Sequence, residues 1–203
     1  MGNIGIFGGT FNPVHKGHAK LLKSVMEAVE FDKIIVLPDR IPPHKRADDL
    51  VSGEDRYNMC RLAFGGIENV QVSDWELKQS GKSYSVLTLR HFHNIYPNDK
   101  LFFIMGSDML MSFREWYCYE EILELAALIC ISRENKATVE KLKDYAQKLT
   151  EKNGEVIILK TEPFEASSTQ IRDNLKKGLD CSCYLEENVV QYIEAKKLYH
   201  EGL

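Results

Sequence analysis

With 203 residues, 44% of them hydrophobic and 28% charged, the chain is long enough for one full core, short for two, and ordinary for a soluble globular domain. Its 26 Lys and Arg against 30 Asp and Glu, a formal net charge of −4, argue against a protein that grips nucleic acid through a basic face. No apolar run approaches the roughly 20 residues of a membrane span, and a signal peptide is not expected, because a strand starts almost at Met1.

In chain order, apolar runs with strand character fall at 4–7, 34–37, 70–72, 101–105, 128–131 and 156–159. Helical patterns fall between most of them, at 18–29, 54–64, 86–95, 119–125 and 139–149, and two more, at 169–177 and 186–196, close the chain. Strands alternating with helices at this spacing predict an α/β fold with a parallel sheet covered on both faces. No repeat, low-complexity tract or Gly/Ser linker divides the chain, so one domain over 1–203 is expected, with a small helical C-terminal part from about 167. The loops 38–49 and 74–85 each follow a strand, where open α/β sheets bind ligands, and are candidate substrate loops. Met1-Gly2 lacks the Ser or Thr that an N-myristoylation signal needs, because Ile6 stands there. The five cysteines, Cys60, Cys118, Cys130, Cys181 and Cys183, show no C-x-x-C pair. They read as reduced thiols of a cytoplasmic protein, and Cys181-x-Cys183 as incidental rather than metal-binding.

The most informative segment follows the first strand: Gly8-Gly9-Thr10-Phe11-Asn12-Pro13-Val14-His15-Lys16-Gly17-His18. Two histidines three residues apart at a helix start should share a face, where first-turn N–H groups and the macrodipole favour an anion. Glycines before them let backbone N–H groups approach a polyphosphate closely, and Gly17 clears space where a planar base could lie. Near the other end, Ser167-Ser168-Thr169-Gln170-Ile171-Arg172 opens a helix with a capping hydroxyl, and Arg172 lies on the face of Thr169. His91 and His93, at i and i+2, diverge and do not share a ligand readily, and the carboxylates show no spacing that marks a metal cage.

These residues carry a resemblance. H-x-G-H at a helix start is the signature of the nucleotidylyltransferase superfamily, and G-G-T-F-N-P-V-H-x-G-H with S-S-T-x-I-R resembles the nicotinate mononucleotide adenylyltransferase family. Pro42-Pro43-His44-Lys45, Lys82-Ser83-Tyr84-Ser85, Gly106-Ser107-Asp108 and Trp116-Tyr117 match further family segments. The chain departs from the family's usual residues at Asn12 (usually Asp), Ser85 (usually Thr), Ser107 (usually Ala) and Ala166 (usually Ile). The resemblance implies a Rossmann-like, doubly wound sheet and transfer of the adenylyl group of ATP to nicotinate mononucleotide, with release of pyrophosphate. It implies His15, His18 and Arg172 as catalytic residues. Gly8, Gly9, Thr10, Phe11, Gly17, Gly106, Asp108, Ser168 and Thr169 would complete the ATP site. Lys45, Ser85, Trp116 and Tyr117 would receive the mononucleotide, with Trp116 stacked on the pyridine ring and backbone N–H groups near Ser85 and Tyr117 on its carboxylate.

A phosphate monoester is ionised at neutral pH and needs no general base, so such an enzyme supplies alignment and compensation of negative charge. Mg²⁺ is expected to arrive with the ATP phosphates rather than in a protein cage. Neither nucleic acid nor a membrane is an expected partner, and a homo-oligomer stays open. Three alternatives stand beside this reading: another acceptor, such as nicotinamide mononucleotide or phosphopantetheine; a non-catalytic nucleotide-binding module, which would be expected to have lost a histidine; and a relative acting on nucleic acid, which would need a basic face. Arg133, after the fifth strand, is left without a role.

Overall fold

The computed structural model describes residues 1–41, 50–132, 136–152, 154–162, 164 and 166–199. Six parallel strands form one sheet: β1 (Asn3–Gly9), β2 (Lys33–Pro38), β3 (Val70–Val72), β4 (Lys100–Gly106), β5 (Ala127–Ser132) and β6 (Val156–Lys160), in the order β3-β2-β1-β4-β5-β6. The chain begins in the middle, winds outward to β3, returns to β4 beside β1, and winds outward the other way. The crevice beyond the carboxyl ends of β1 and β4 is therefore where the winding reverses, the ligand position of such sheets.

Among the described residues eight α-helices cover the faces: α1 (Lys16–Ala28), α2 (Gly53–Phe64), α3 (Ser85–Ile95), α4 (Ser107–Met111), α5 (Tyr119–Leu125), α6 (Lys136–Thr150), α7 (Ser168–Lys176) and α8 (Glu187–Lys196). Successive strand residues point to opposite faces. Phe7, Ile34, Val36, Phe102, Ile104 and Ile129 pack with buried residues of α1, α2, α7 and α8. Ile4, Ile6, Ile35, Leu37, Leu101, Phe103 and Leu128 pack with those of α3, α4, α5 and α6. Burial on both faces is why the strands read as continuous apolar runs rather than alternating ones. Each such side chain contributes about 1.5–3 kcal/mol. Truncating Ile6, which is fully buried between two strands, would cost about 2–5 kcal/mol.

All six expected strands form, five of them within longer spans and β3 over the expected residues. β1 and β4 run on to Gly9 and Gly106, since glycine still pairs: Gly8 aligns with Leu37 and Gly106 with Ile131. Helix α1 starts at Lys16 rather than at 18, because His15 caps it. Helix α4 was not anticipated, being too short to show a period. Among the described residues no helix is long and apolar enough to cross a membrane.

Candidate functional site

Where β1 ends, Phe11 takes a left-handed turn, φ 47°, that folds its ring back into the core. The ring lies edge-on to Phe7 at 5.4 Å and to Phe64 at 6.1 Å, and the residue is 2% exposed. A Cβ on Gly9 would stand 2.9 Å from that ring, so packing requires glycine there. At Gly8, on the opposite face, a Cβ would meet nothing within 4 Å, and the strand end is open. A ring with so little exposed area has no face to offer a nucleotide, so the ATP contact expected at Phe11 would fall to its backbone. The ring braces His18 instead, edge to face at 5.1 Å.

His15 is the N-cap of α1, in extended conformation, and its Nδ1 accepts the Gly17 N–H at 3.1 Å. His18 reaches back, its Nδ1 accepting the His15 N–H at 3.1 Å, which leaves the two rings 3.8 Å apart. The sequence expectation of first-turn N–H groups facing an anion changes here. Lys16 N–H donates to the Tyr184 carbonyl at 2.9 Å, Gly17 N–H to His15 Nδ1, and His18 N–H to the His15 carbonyl at 2.8 Å. The N–H groups are satisfied within the chain, so a phosphate at this helix start would meet the imidazole rings rather than the backbone. A neutral imidazole that accepts at Nδ1 carries its proton on Nε2, so one capping box sets the tautomer of both histidines. Gly17 is glycine because a Cβ would lie 2.6 Å from Phe164 and 2.8 Å from His15 Nδ1. Phe164 stacks on His15 at 5.6 Å, with 7° between the planes, and fills the space that the sequence offered to a base.

From the far end of the chain, α7 brings its first turn onto the same loop. Ser167 caps it by accepting the Gln170 N–H, and the N–H groups of Ser168 and Thr169 have no acceptor inside the helix. Ser168 Oγ donates to the Pro13 carbonyl at 2.9 Å, and Arg172 donates to the Asn12 carbonyl at 2.9 Å and to Thr169 Oγ1 at 3.4 Å. Asn12 is itself a junction, its Oδ1 accepting the Val51 N–H and the Tyr199 hydroxyl. Ser168, Thr169 and Arg172 thus stand beside the loop that carries His15 and His18.

Across the mouth of β1, Ser85 is the first residue of α3, whose N-cap Tyr84 makes no side-chain cap. The Tyr84 ring lies 5.1 Å from that of Tyr117. Half-buried Trp116 rests on Phe113 at 5.5 Å and Phe103 at 6.0 Å, while Tyr117 is 58% exposed. The structure therefore gathers Ser85, Trp116 and Tyr117. At the end of β4 a Cβ on Gly106 would meet Asp108 Oδ1 at 2.7 Å, so glycine there lets the exposed carboxylate fold back over the strand end. Such a carboxylate suits a hydroxyl donor rather than a phosphate. Lys45 and the loop 42–49 that holds it, and Arg133, lie outside the described residues.

Two buried groups beneath the site went unremarked in the sequence. Arg56, 1% exposed on α2, donates to the carbonyls of Thr10 (2.9 Å), Asp39 (2.6 Å), Arg40 (3.3 Å) and Val51 (3.4 Å), and pairs with Asp39 Oδ1 at 3.3 Å. Asp39 also accepts the Thr10 hydroxyl at 2.9 Å, so that side chain faces the carboxylate, and what Thr10 offers a nucleotide is its backbone. Arg56 shares the buried stripe of Met59, Cys60 and Phe64, and a cation at i, i+3, i+4 of an apolar face was the available signal. The other is Glu76, 7% exposed in the 3₁₀ turn Glu76–Lys78.

The cytidylyltransferase-like family profile matches residues 6–174. A Clostridium tetani protein named "Probable nicotinate-nucleotide adenylyltransferase" is 34% identical over 96% of this chain and 97% of its own length. One of the same name from Fusobacterium nucleatum is 38% identical over 94% and 96%. The solved Plasmodium falciparum nicotinic acid mononucleotide adenylyltransferase complexed with NaAD shares the fold, with a TM-score of 0.78 over 98% of each chain at 21% identity. On these matches the chain belongs to the cytidylyltransferase-like family, among its nicotinate-nucleotide adenylyltransferase relatives.

Proposed function

We propose that the chain transfers the adenylyl group of ATP to nicotinate mononucleotide, giving nicotinate adenine dinucleotide and pyrophosphate, as a cytoplasmic enzyme of NAD biosynthesis. The observation that carries the reading is the capping box of His15 and His18, which fixes two adjacent Nε2–H donors at the N-terminus of α1. In the step itself, a mononucleotide phosphate oxygen bonds to the α-phosphorus while the bond to the bridging oxygen breaks, and pyrophosphate leaves with that electron pair. Charge grows on the bridging and α-phosphate oxygens, where the two imidazoles would donate. Arg172 and the first-turn N–H groups of α7 would hold the β- and γ-phosphates, and Lys45 would join them there. Gly8, at the open strand end, would give the backbone its close approach, Gly9, Gly17 and Gly106 would shape the ATP site around it, and Asp108 takes a hydroxyl. The described residues hold no group of three or more His, Cys, Asp or Glu that fits a metal cage. Mg²⁺ would come with the ATP phosphates, where it would neutralise charge.

Opposite, Trp116 stacks on the pyridine ring and the N–H groups of Ser85 and Tyr117 receive its carboxylate. A carboxylate accepts from two N–H groups, whereas an amide sets its NH₂ against one of them. The test is pyrophosphate release from ATP with nicotinate mononucleotide, nicotinamide mononucleotide and phosphopantetheine in parallel. An N–H left unpaired in a closed site costs about 1–3 kcal/mol, so kcat/KM for the acid should exceed that for the amide by about tenfold or more. Equal values would overturn the nicotinate assignment, and turnover of phosphopantetheine alone would overturn the pyridine reading.

A further inference from the structure

Beneath the pyridine half lies a carboxylate that adenylyl transfer does not use. Glu76 Oε1 accepts the Thr88 hydroxyl of α3 at 2.6 Å, and the Ser83 hydroxyl is near enough to the same carboxylate to favour its ionised form. Ser83 Oγ in turn accepts the Arg40 N–H at 2.9 Å, and its own N–H donates to the Ile41 carbonyl at 3.1 Å. Four groups are thus in series: the backbone beyond β2, Ser83, Glu76 and α3. Ser85 lies in the chain between Ser83 and Thr88, the two hydroxyls that act on this carboxylate. The charged groups that face it are Asp39, beyond β2, and Arg56 on α2, opposite in sign. Burial raises its pKa to about 7 in spite of the two hydroxyl donors.

We propose that Glu76 is a positioning residue for the mononucleotide, fixing the segment 83–85 through Ser83 and Thr88 so that the Ser85 N–H stands against Trp116 and Tyr117. This rests on the reading above that the Ser85 backbone receives the pyridine carboxylate. Only the ionised acid accepts from both hydroxyls; once protonated, it must place its own O–H on one of them, which turns away. A buried charge costs stability that a glutamine of the same shape would spare. A residue that destabilises the fold while aligning a site has the signature of function rather than packing.

The test takes Glu76→Gln, Ser83→Ala and the double variant, with KM for each substrate, kcat and Tm. Nicotinate mononucleotide turnover by the parent is measured first, since without it the substrate reading falls and this inference with it. Each single variant is expected to raise KM for the mononucleotide by roughly tenfold, with KM for ATP and kcat within about twofold. The double variant should be no worse than the poorer single, because both break one series of bonds. The parent's KM for the mononucleotide should climb as pH falls through about 7, a rise absent from Glu76→Gln, whose Tm at pH 8 should match or exceed the parent's. If mononucleotide KM stays within about twofold of the parent, or the two singles add, or the pH profiles coincide, the positioning role falls and the substrate reading stands. Ser83→Ala keeps the question answerable should Glu76→Gln fail to fold.

Discussion

Two histidines cap one helix start, and each does so through Nδ1; the proposed chemistry would use the other nitrogen of the same side chains. The two can therefore be separated by substitution. His18→Ala should lower kcat by about 100-fold or more, the scale of removing one electrostatic stabiliser, and should also cost about 1 kcal/mol of stability as the box opens. His18→Glu restores an acceptor at the third helical position, as capping boxes use. It should keep stability within about 0.5 kcal/mol of the parent while losing at least as much kcat, as denaturant unfolding and initial rates would show. Glu76 calls for a pH experiment. Its carboxyl keeps its proton up to about pH 7 when folded, against an ordinary value of 4.5. Between those values the native state binds the extra proton, so stability falls as pH rises through the window, by at most on the order of 3 kcal/mol. Glu76→Gln should remove that slope, and its margin over the parent should widen from pH 5 to pH 8 in thermal or urea unfolding. The pairing of His15 with His18 was legible because a spacing of three at a helix start puts both side chains on one face. The burial of Glu76 was not, since nothing in Trp75-Glu76-Leu77 tells which of the three side chains turns inward.

Whole elements were easier to read than their ends. The strands announce themselves because both faces are buried, as Ile34 to Leu37 and Leu128 to Ile131 show, and α1 to α3 carry apolar residues at helical spacing. The start of α1 was misplaced because His15, a residue with no general capping preference, takes the cap. Asn12 and Pro13 likewise gave no hint of α7 docking on their carbonyls, a contact made across 155 and 160 positions. Gly17→Ala should gain nothing of the roughly 1 kcal/mol that alanine ordinarily offers a helix, because the added Cβ would displace Phe164 and the His15 ring. A fall in kcat of about tenfold, with KM for ATP changed less, would locate the damage at His15; a more stable variant of full activity would show that the rings move aside without consequence. At α7, Arg172→Lys exchanges a fork that spans Asn12 and Thr169 for a point charge. It should raise KM for ATP by more than about twofold, and a smaller change in ATP titrations would make Arg172 a surface residue.

At the scale of the molecule, the crevice is a place where chain segments far apart in sequence are bolted together. Arg56 ties the loop after β1 to the loop after β2 and to the residues before α2. Arg56→Met would leave half-buried Asp39 without this cation and four carbonyls without their donor. A loss of about 3–5 kcal/mol is expected, a fall in Tm on the order of 10 °C for a chain of this size. A calorimetric shift of a degree or two would show that water replaces the guanidinium. The other bolt is the Tyr199 hydroxyl on Asn12, 187 positions away. Synthesis runs from the glycine turn toward this tyrosine, so a growing chain carries β1 and both histidines long before the contact that seats Asn12 exists. β1 also waits for β4, the neighbour on its other side, with Ile4 aligned on Leu101. The loop made first therefore takes its final seat only after the 187 positions up to Tyr199 have been added.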